Sequence, residues 1–164
     1  MWTPDQITMM FGLDHTYRRI RAFNPLDLKA IRLRGFEQDV ARCFPDYSAY
    51  LAAQAERSYA YTGLAGGRPV IVFGVTPLWS GVAEMWLVAD ESIGQHARYL
   101  IGGGRTFAKA CTHALNLHRL QACVQTSNVV AERYINRLGF HREAVLKMYG
   151  PHREDFAIWR YRGA

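Results

Sequence analysis

The chain has 164 residues, 49% hydrophobic and 21% charged, so it is long enough for one compact domain and too short for two of ordinary size. Twenty Lys and Arg residues against fourteen Asp and Glu give a formal charge of +6, which favours anionic partners. The Arg residues are spread along the chain and form no nucleic-acid-binding motif, so nucleic acid is the less favoured anion. We predict a single domain over residues 1–164.

The cysteines and the N-terminus indicate the compartment. Cys43, Cys111 and Cys123 are odd in number and form no CxxC pair, which favours reduced thiols over disulfides. His113 and His118 lie near Cys111 without the spacing of a metal site, so we expect no metal. The N-terminus lacks the pattern of a signal peptide, and no apolar run approaches the roughly 18 residues of a membrane span. We expect a soluble, cytoplasmic protein with no membrane segment.

The first third of the chain is predicted to hold one strand and two helices. Side chains alternate over residues 15–23, which indicates a strand. Asn24-Pro25 is typical of a helix start, and apolar residues then recur every three or four positions to Phe44, which predicts one amphipathic helix. Pro45 ends it, and residues 47–57 read as a second helix that packs Tyr50 inward.

Three strands of antiparallel type follow. Residues 59–65 and 68–75 flank Gly66-Gly67, whose glycines suit the positive φ angles of a hairpin turn. Residues 77–81 form the next connection. The strand at 82–89 is apolar on both faces except at Glu84, as expected for a central strand covered by helices on both sides.

The C-terminal half alternates helices and strands. A helix ending near Asn116 precedes a strand at 120–126, Asn128 can cap a helix over 129–138, and Gly139 can end it. Residues 140–149 and 155–161 make two further strands around a turn at 150–151. The succession predicts an α/β fold with a mixed central sheet of about seven strands flanked by helices. A ligand should bind beyond the end of the strand at 82–89.

The segment from Asn128 through Ala131 to Gly139-Phe140 resembles the Asn-x-x-Ala and Gly-Phe pattern of the GNAT superfamily of acyl-CoA N-acyltransferases. The resemblance implies a GNAT-like fold, acetyl-CoA as co-substrate, and a small-molecule or protein amine as acceptor. It also implies that Leu87 and Val88 on the central strand, together with Asn128, lie beside the pantetheine arm. A purely structural account of the same residues, with Asn128 and Gly139 as helix caps, stays open.

The phosphate loop of that superfamily is degenerate in this chain, and two registers compete. One places the loop at residues 93–98, with Gly94, His96 and Arg98 near the phosphates and a helix that begins near Arg98. The other uses Gly102 to Gly104 as the loop and begins the helix at Arg105. The first helix would span about 28 Å and the second about 18 Å, against about 23 Å for a seven-residue strand, which favours the first register.

Glu84 and Tyr134 are the candidate catalytic residues. In the superfamily, a carboxylate on the central strand often serves as the base for the acceptor amine, and Glu84 matches this position. A Glu paired to Arg is the structural alternative. The tyrosine that protonates the leaving thiolate in many members corresponds here to Ile135, which carries no proton to donate. Tyr134 is then either a substitute acid or a residue of the core or cleft, unless water protonates the thiolate or none is released.

Residues 61–75 are similar to acetyltransferase-fold proteins encoded among the virion genes of short-tailed phages, including an internal virion protein family. This resemblance implies an alternative function, a phage virion component that is catalytically inactive. Its partners would be other virion proteins or DNA, and its location the host cytoplasm or the virion.

Overall fold

The computed structural model describes residues 2–14 and 16–164, and only the backbone of Phe36. The helices are α1 Pro4–Met10, α2 Leu26–Ala30, α3 Gly35–Ala41, α4 Tyr47–Glu56, α5 Ala97–Ala114 and α6 Val129–Arg137. The strands are β1 Arg18–Ala22, β2 Tyr59–Ala65, β3 Arg68–Trp79, β4 Val82–Ala89, β5 Arg119–Gln125, β6 Phe140–Leu146 and β7 Phe156–Tyr161. A 3₁₀ turn, Glu91–His96, joins β4 to α5.

The strands form one sheet in the order β1-β2-β3-β4-β5-β7-β6. Neighbouring strands are antiparallel except β4 and β5, which run parallel. The predicted mixed α/β sheet of about seven strands flanked by helices is therefore confirmed. No described helix is both long and apolar enough to span a membrane.

Two hydrophobic clusters cover the two faces of the sheet. The larger cluster joins α1, α5 and α6 to one face and centres on Phe107, which is fully buried. The smaller joins α2 and α4 to the other face, where Leu28 and Leu51 pack with Val72 and Val88. Because β4 contributes side chains to both clusters, it is covered on both sides, as its apolar pattern predicts.

The prediction of one helix from Leu26 to Phe44 is wrong. The chain leaves helical geometry at Ile31, whose ψ angle is 126°, and resumes it at α3. Tertiary hydrogen bonds account for the break: the Arg32 amide donates to the Asp90 carboxylate over 2.9 Å, and the Glu91 amide donates to the Arg32 carbonyl over 3.0 Å. A segment whose backbone is bonded to the end of β4 cannot make helical bonds as well.

Several other boundaries also differ from the predictions. Helix α1 was not predicted, although Thr3 and Gln6 form the capping box that begins it. Strand β3 continues to Trp79 through what was predicted as a connection, and β6 ends three residues before Tyr149. Tyr50 is 48% exposed instead of packing inward. His15, within the predicted first strand, lies outside the described residues.

Helix α5 decides between the two registers of the phosphate loop. It begins at Ala97 and runs through Gly102 to Gly104, so the predicted helix start near Arg98 is confirmed and a start at Arg105 is wrong, while the phosphate loop at residues 93–98 stays a prediction. A Cβ on Gly103 would overlap the Phe11 ring and lie 2.7 Å from the Phe11 Cα, while one on Gly104 would lie 2.8 Å from Leu138 Cδ2. These two glycines let α1 and α6 approach α5 closely.

Candidate active site

The candidate active site begins where β4 and β5 separate. The two strands pair at three positions, and the last pairs Glu84 with Gln121. Beyond this pair, β4 continues to Ala89 and β5 to Gln125, but the two strands no longer pair with each other. The outer edge of β4 pairs with β3, and the outer edge of β5 pairs with β7. The sheet is thus split at its centre, and the inner edge of each strand faces the gap.

A cavity of about 630 Å³ passes through this split. On one face of the sheet it is lined by Met85 and Leu87 with residues of α5 and α6. On the other it is lined by Trp86 and Cys123 with residues of α3 and α4. Asn128, three residues beyond the end of β5, and the 3₁₀ turn also contribute to the wall. Two ligands that enter from opposite faces would meet in the gap between the strands.

Glu84 lies at the vertex of the split, in the last pair of β4 and β5, and the cavity lining on β4 begins at the next residue, Met85. Its carboxylate accepts a 2.9 Å hydrogen bond from the Gln121 side-chain amide on β5. The ion pairs of the described residues do not include Glu84; the nearby Arg119 and Arg160 pair instead with Glu143. The alternative of an Arg-paired Glu84 is therefore wrong. Gln121 was not singled out in the sequence, because a polar residue in a strand carries no sign of its cross-strand partner.

The N-terminus of α5 opens at one end of the cavity. Helix α5 has no acidic residue in its first turn and no side-chain cap, so the positive end of its dipole is not neutralised there, and its first amide, that of Ala97, donates to the Gly94 carbonyl of the 3₁₀ turn. Gly94 lines the cavity, and nothing lies within 4 Å of where its Cβ would be. Arg98 is exposed beside this end, where it donates a 3.0 Å hydrogen bond to the Tyr99 hydroxyl.

His96 is turned away from the cavity. Only 8% of it is exposed, and its Nδ1 accepts a 3.2 Å hydrogen bond from Arg18 Nε on β1. Burial, together with the charge of Arg18, lowers its pKa below the ordinary value for histidine. The structure therefore places His96, predicted to lie near phosphates, between β1 and the start of α5.

Other predicted residues line the cavity. Leu87, Val88 and Asn128 all contribute to its wall. Asn128 also caps α6 by accepting a 3.1 Å bond from the Ala131 amide, and the φ angle of Gly139 after the helix is 98°. Sequence analysis missed Arg133 and Arg137 of α6, whose guanidinium groups add positive charge on the side of the cavity that holds α5.

Tyr134 lies in the cavity wall between α6 and α5. Its hydroxyl donates a 3.3 Å hydrogen bond to the Leu100 carbonyl and packs against Gly104. Burial raises its pKa well above the ordinary value for tyrosine. The neighbouring Ile135 is 6% exposed and belongs to the larger hydrophobic cluster.

An aromatic wall on the opposite side was also missed. It consists of Phe44, Tyr47, Tyr50, Trp86 and Phe156. The spacing of Phe44, Tyr47 and Tyr50 at every third residue was a usable signal, but an aromatic stripe on a helix is equally typical of a core.

Comparison with known proteins identifies the fold. No protein-family model and no curated protein sequence matches the chain. A GNAT-family acetyltransferase from Bacillus anthracis matches with a TM-score of 0.67 and 18% identity, over 88% of this chain and 93% of that one. Ard1 from Thermoplasma volcanium gives 0.67 and 18%, over 88% and 97%. The ribosomal-protein-S18-alanine N-acetyltransferase from Escherichia coli gives 0.63 and 18%, over 88% and 92%. The chain has the fold of the GNAT acetyltransferases.

Proposed function

We propose that the protein is an N-acetyltransferase that uses acetyl-CoA as co-substrate and an amine as acceptor. The observation that carries the proposal is the split between β4 and β5, with a carboxylate at its vertex and a helix N-terminus at its mouth. A cavity that opens on both faces of the sheet suits a reaction in which two substrates approach each other from opposite sides. The solved structures that share the fold include acetyltransferases.

The residues on the α5 and α6 side fit acetyl-CoA. The free inner edge of β4 at Leu87 and Val88 offers amide groups to the pantetheine arm, which carries amides of its own. The start of α5 presents the positive end of the helix dipole to the pyrophosphate, and the open space at Gly94 leaves room for close approach. Arg98, Arg133 and Arg137 add the positive charge that the phosphates require.

An ammonium acceptor loses two protons: one before its nitrogen can attack, and a second to water after the C–N bond forms, which balances the proton that the thiolate takes up. The amine nitrogen attacks the thioester carbonyl carbon, a C–N bond forms, and the C–S bond breaks to release CoA as thiolate. Glu84 accepts the proton of the attacking amine through a water molecule, and the hydrogen bond from Gln121 holds the carboxylate at the vertex.

Tyr134 is assigned a positioning role. Its raised pKa makes proton transfer to a thiolate unfavourable, since a free thiol has a pKa of about 8.5 and a free phenol about 10. Its hydroxyl is also already bonded to the Leu100 carbonyl. The leaving thiolate therefore takes its proton from water, and Tyr134 holds α6 against α5 beside the split.

The virion function stays a prediction from the sequence, since neither the fold nor the comparisons bear on it. Likewise, a cytoplasmic location stays a prediction. An acetyltransferase-fold protein that serves only assembly would have no need of the charged and open features at the start of α5.

Calorimetry and thermal denaturation with acetyl-CoA test the proposal. At a concentration of 100 times Kd, a ligand that binds only the native state adds about 2.7 kcal/mol to its stability, so a clear rise in Tm is expected. ADP is the matched control, because it supplies the phosphates without the pantetheine arm and should give a smaller rise. No heat and no rise in Tm with acetyl-CoA would refute the proposal. Thiol release on addition of an amine then reports turnover.

A further inference from the structure

The side of the cavity that faces α3 and α4 is built differently from the side that faces α5 and α6. Its aromatic wall has three mutually packed rings from one short segment: Phe44 stacks on Tyr50 with centroids 4.3 Å apart, and Tyr47 lies 5.7 Å from Phe44 and 6.2 Å from Tyr50. Trp86 comes from β4 and Phe156 from β7, so three separate parts of the chain contribute rings to one surface.

The wall presents mainly neutral ring surface to the cavity. The indole N–H of Trp86 donates to the Ser58 hydroxyl over 3.1 Å, which leaves the apolar ring to the cavity. Burial, with the nearby charge of Glu37, raises the pKa of Tyr47 to about 12, so its hydroxyl stays neutral at physiological pH. A neutral ring system of this kind binds apolar and aromatic groups.

The charged groups on this side select against highly charged acceptors. Among the described lining residues here, the charged pair is Arg34 and Glu37, whose Nε and Oε2 atoms lie 3.3 Å apart. A paired Arg and Glu add little net charge, and a single paired carboxylate is a poor receptor for a polyamine or an aminoglycoside. Glu84 adds one carboxylate at the vertex, directly before the cavity-lining Met85, and a single carboxylate suits a single amino group.

We propose that the acceptor is a primary amine carried on an aromatic ring, with the ring on the aromatic wall and the amino group directed to Glu84. This inference rests on the proposed acetyltransferase function and names its substrate class. The amine reaches the wall in its protonated form, since aromatic rings attract cations, and loses its proton at Glu84 before attack. An arylalkylamine and a peptide with an aromatic N-terminal residue share this chemistry.

A panel of four amines tests the substrate class. We expect kcat/KM for 2-phenylethylamine or for phenylalanylglycine to exceed that for glycinamide and for spermidine by at least about tenfold, as hydrophobic pockets achieve for apolar groups larger than a methylene. A tenfold preference for 2-phenylethylamine would identify the acceptor as a free amine, and a tenfold preference for phenylalanylglycine would identify it as a peptide. Equal or better use of spermidine or glycinamide would overturn the proposal.

Variants of the wall provide an internal control for folding. Tyr50→Ala should lower the ratio of kcat/KM for 2-phenylethylamine to that for glycinamide by about fivefold to tenfold, because a buried ring contact is lost. Tyr50 is 48% exposed, so the truncation leaves the core intact. Trp79→Ala is the matched control, since this ring is 69% exposed and does not line the cavity, and its ratio should not change. Equal ratios in wild type and Tyr50→Ala would contradict the proposal.

Saturation-transfer NMR with 2-phenylethylamine alone separates this inference from the proposed function. If acetyl-CoA gives no heat, the acetyltransferase proposal fails, yet Tyr50-dependent binding of 2-phenylethylamine would still support the aromatic site. If acetyl-CoA binds and neither 2-phenylethylamine nor phenylalanylglycine shows saturation transfer or turnover, the substrate class is wrong while the acetyltransferase proposal stands.

Discussion

Glu84 is the residue on which the proposed chemistry depends most. It occupies the last paired position before β4 and β5 separate, and its carboxylate is held by Gln121. The proposed mechanism places a water molecule between this carboxylate and an amine in the gap, where the next residue of β4, Met85, lines the cavity. The chain has fourteen acidic residues, and Glu84 differs from the other thirteen by its position in the sheet.

Glu84→Gln should lower kcat about 100-fold, at the lower end of the effect of a general base, and leave the KM for acetyl-CoA unchanged. The loss should shrink as pH rises towards the pKa of the acceptor amine, because the deprotonated amine needs no base. Steady-state kinetics across pH checks this. Glu143→Gln is the control, because Glu143 lies on β6 and its carboxylate is held by ion pairs with Arg119 and Arg160. A kcat within twofold of wild type for Glu84→Gln would remove its role as base.

Tyr134→Phe separates a positioning residue from an acid. We expect the free energy of unfolding to fall by about 0.5–1 kcal/mol, because one hydrogen bond to Leu100 is lost, and kcat to fall less than threefold. Urea denaturation and steady-state kinetics measure the two effects. Tyr17→Phe, at a residue 53% exposed and outside the cavity lining, is the control. A tenfold loss of kcat with unchanged stability would instead identify Tyr134 as the acid.

Helix α5 both borders the cavity and packs against two other helices, and its glycines allow this packing. Its start faces the cavity, and its middle is clamped between α1 and α6. Glycine lowers helix stability by about 1 kcal/mol relative to alanine, so a run of three needs a packing reason. Two of the three have one: Phe11 packs on Gly103, and Leu138 with Tyr134 packs on Gly104.

The neighbouring positions 102 and 103 make a matched pair. Gly103→Ala should lower the free energy of unfolding by about 1–3 kcal/mol, because the new methyl group overlaps Phe11. Gly102→Ala should raise it by up to about 1 kcal/mol, since nothing lies within 4 Å of that methyl group and alanine favours the helix. Urea denaturation of both variants checks the signs. A stabilising Gly103→Ala would contradict the observed packing of α1 on α5.

Asp90 connects parts of the chain that are distant in sequence. The carboxylate is 2% exposed and accepts bonds from the Arg32 amide and guanidinium and from Ser92. Burial by itself would raise its pKa, but these hydrogen bonds prevail and hold the pKa of Asp90 well below its usual range. The same contacts join the end of β4 to the break between α2 and α3, which positions the two sides of the cavity.

Asp90→Asn should lower the free energy of unfolding at pH 7 by about 2 kcal/mol, because bonds to a charged acceptor are lost. A depressed pKa in the folded state means that the contribution of Asp90 is complete above the unfolded value of about 3.9 and is lost as pH falls through the folded value. The difference in the free energy of unfolding between the variant and the wild type should therefore become smaller below about pH 4. Urea denaturation from pH 7 to pH 3 measures it, with the exposed Asp39→Asn as control. An equal gap at pH 3 and pH 7 would contradict this account.

Local sequence patterns predicted most of the secondary structure. Alternation and turn glycines predicted β2 and the start of β3, and the φ angles of Gly66 and Gly67, 55° and 78°, confirm the turn. Asn128 and Gly139 marked the two ends of α6 correctly. These signals are local, because caps, turns and strand alternation depend on residues a few positions apart.

The tertiary structure decided what local patterns do not contain. The helix from Leu26 was broken by bonds between Arg32 and Asp90, 58 residues apart. Glu84 acquired its partner Gln121 from 37 residues away, and the aromatic wall came from three separate segments. The gap between β4 and β5 depends on where two parallel strands stop pairing, and no sequence pattern in either strand indicates this position. Apart from α1 and the break between α2 and α3, local periodicity thus predicted the order of helices and strands, whereas the cavity and its vertex arose from contacts that only the folded chain brings together.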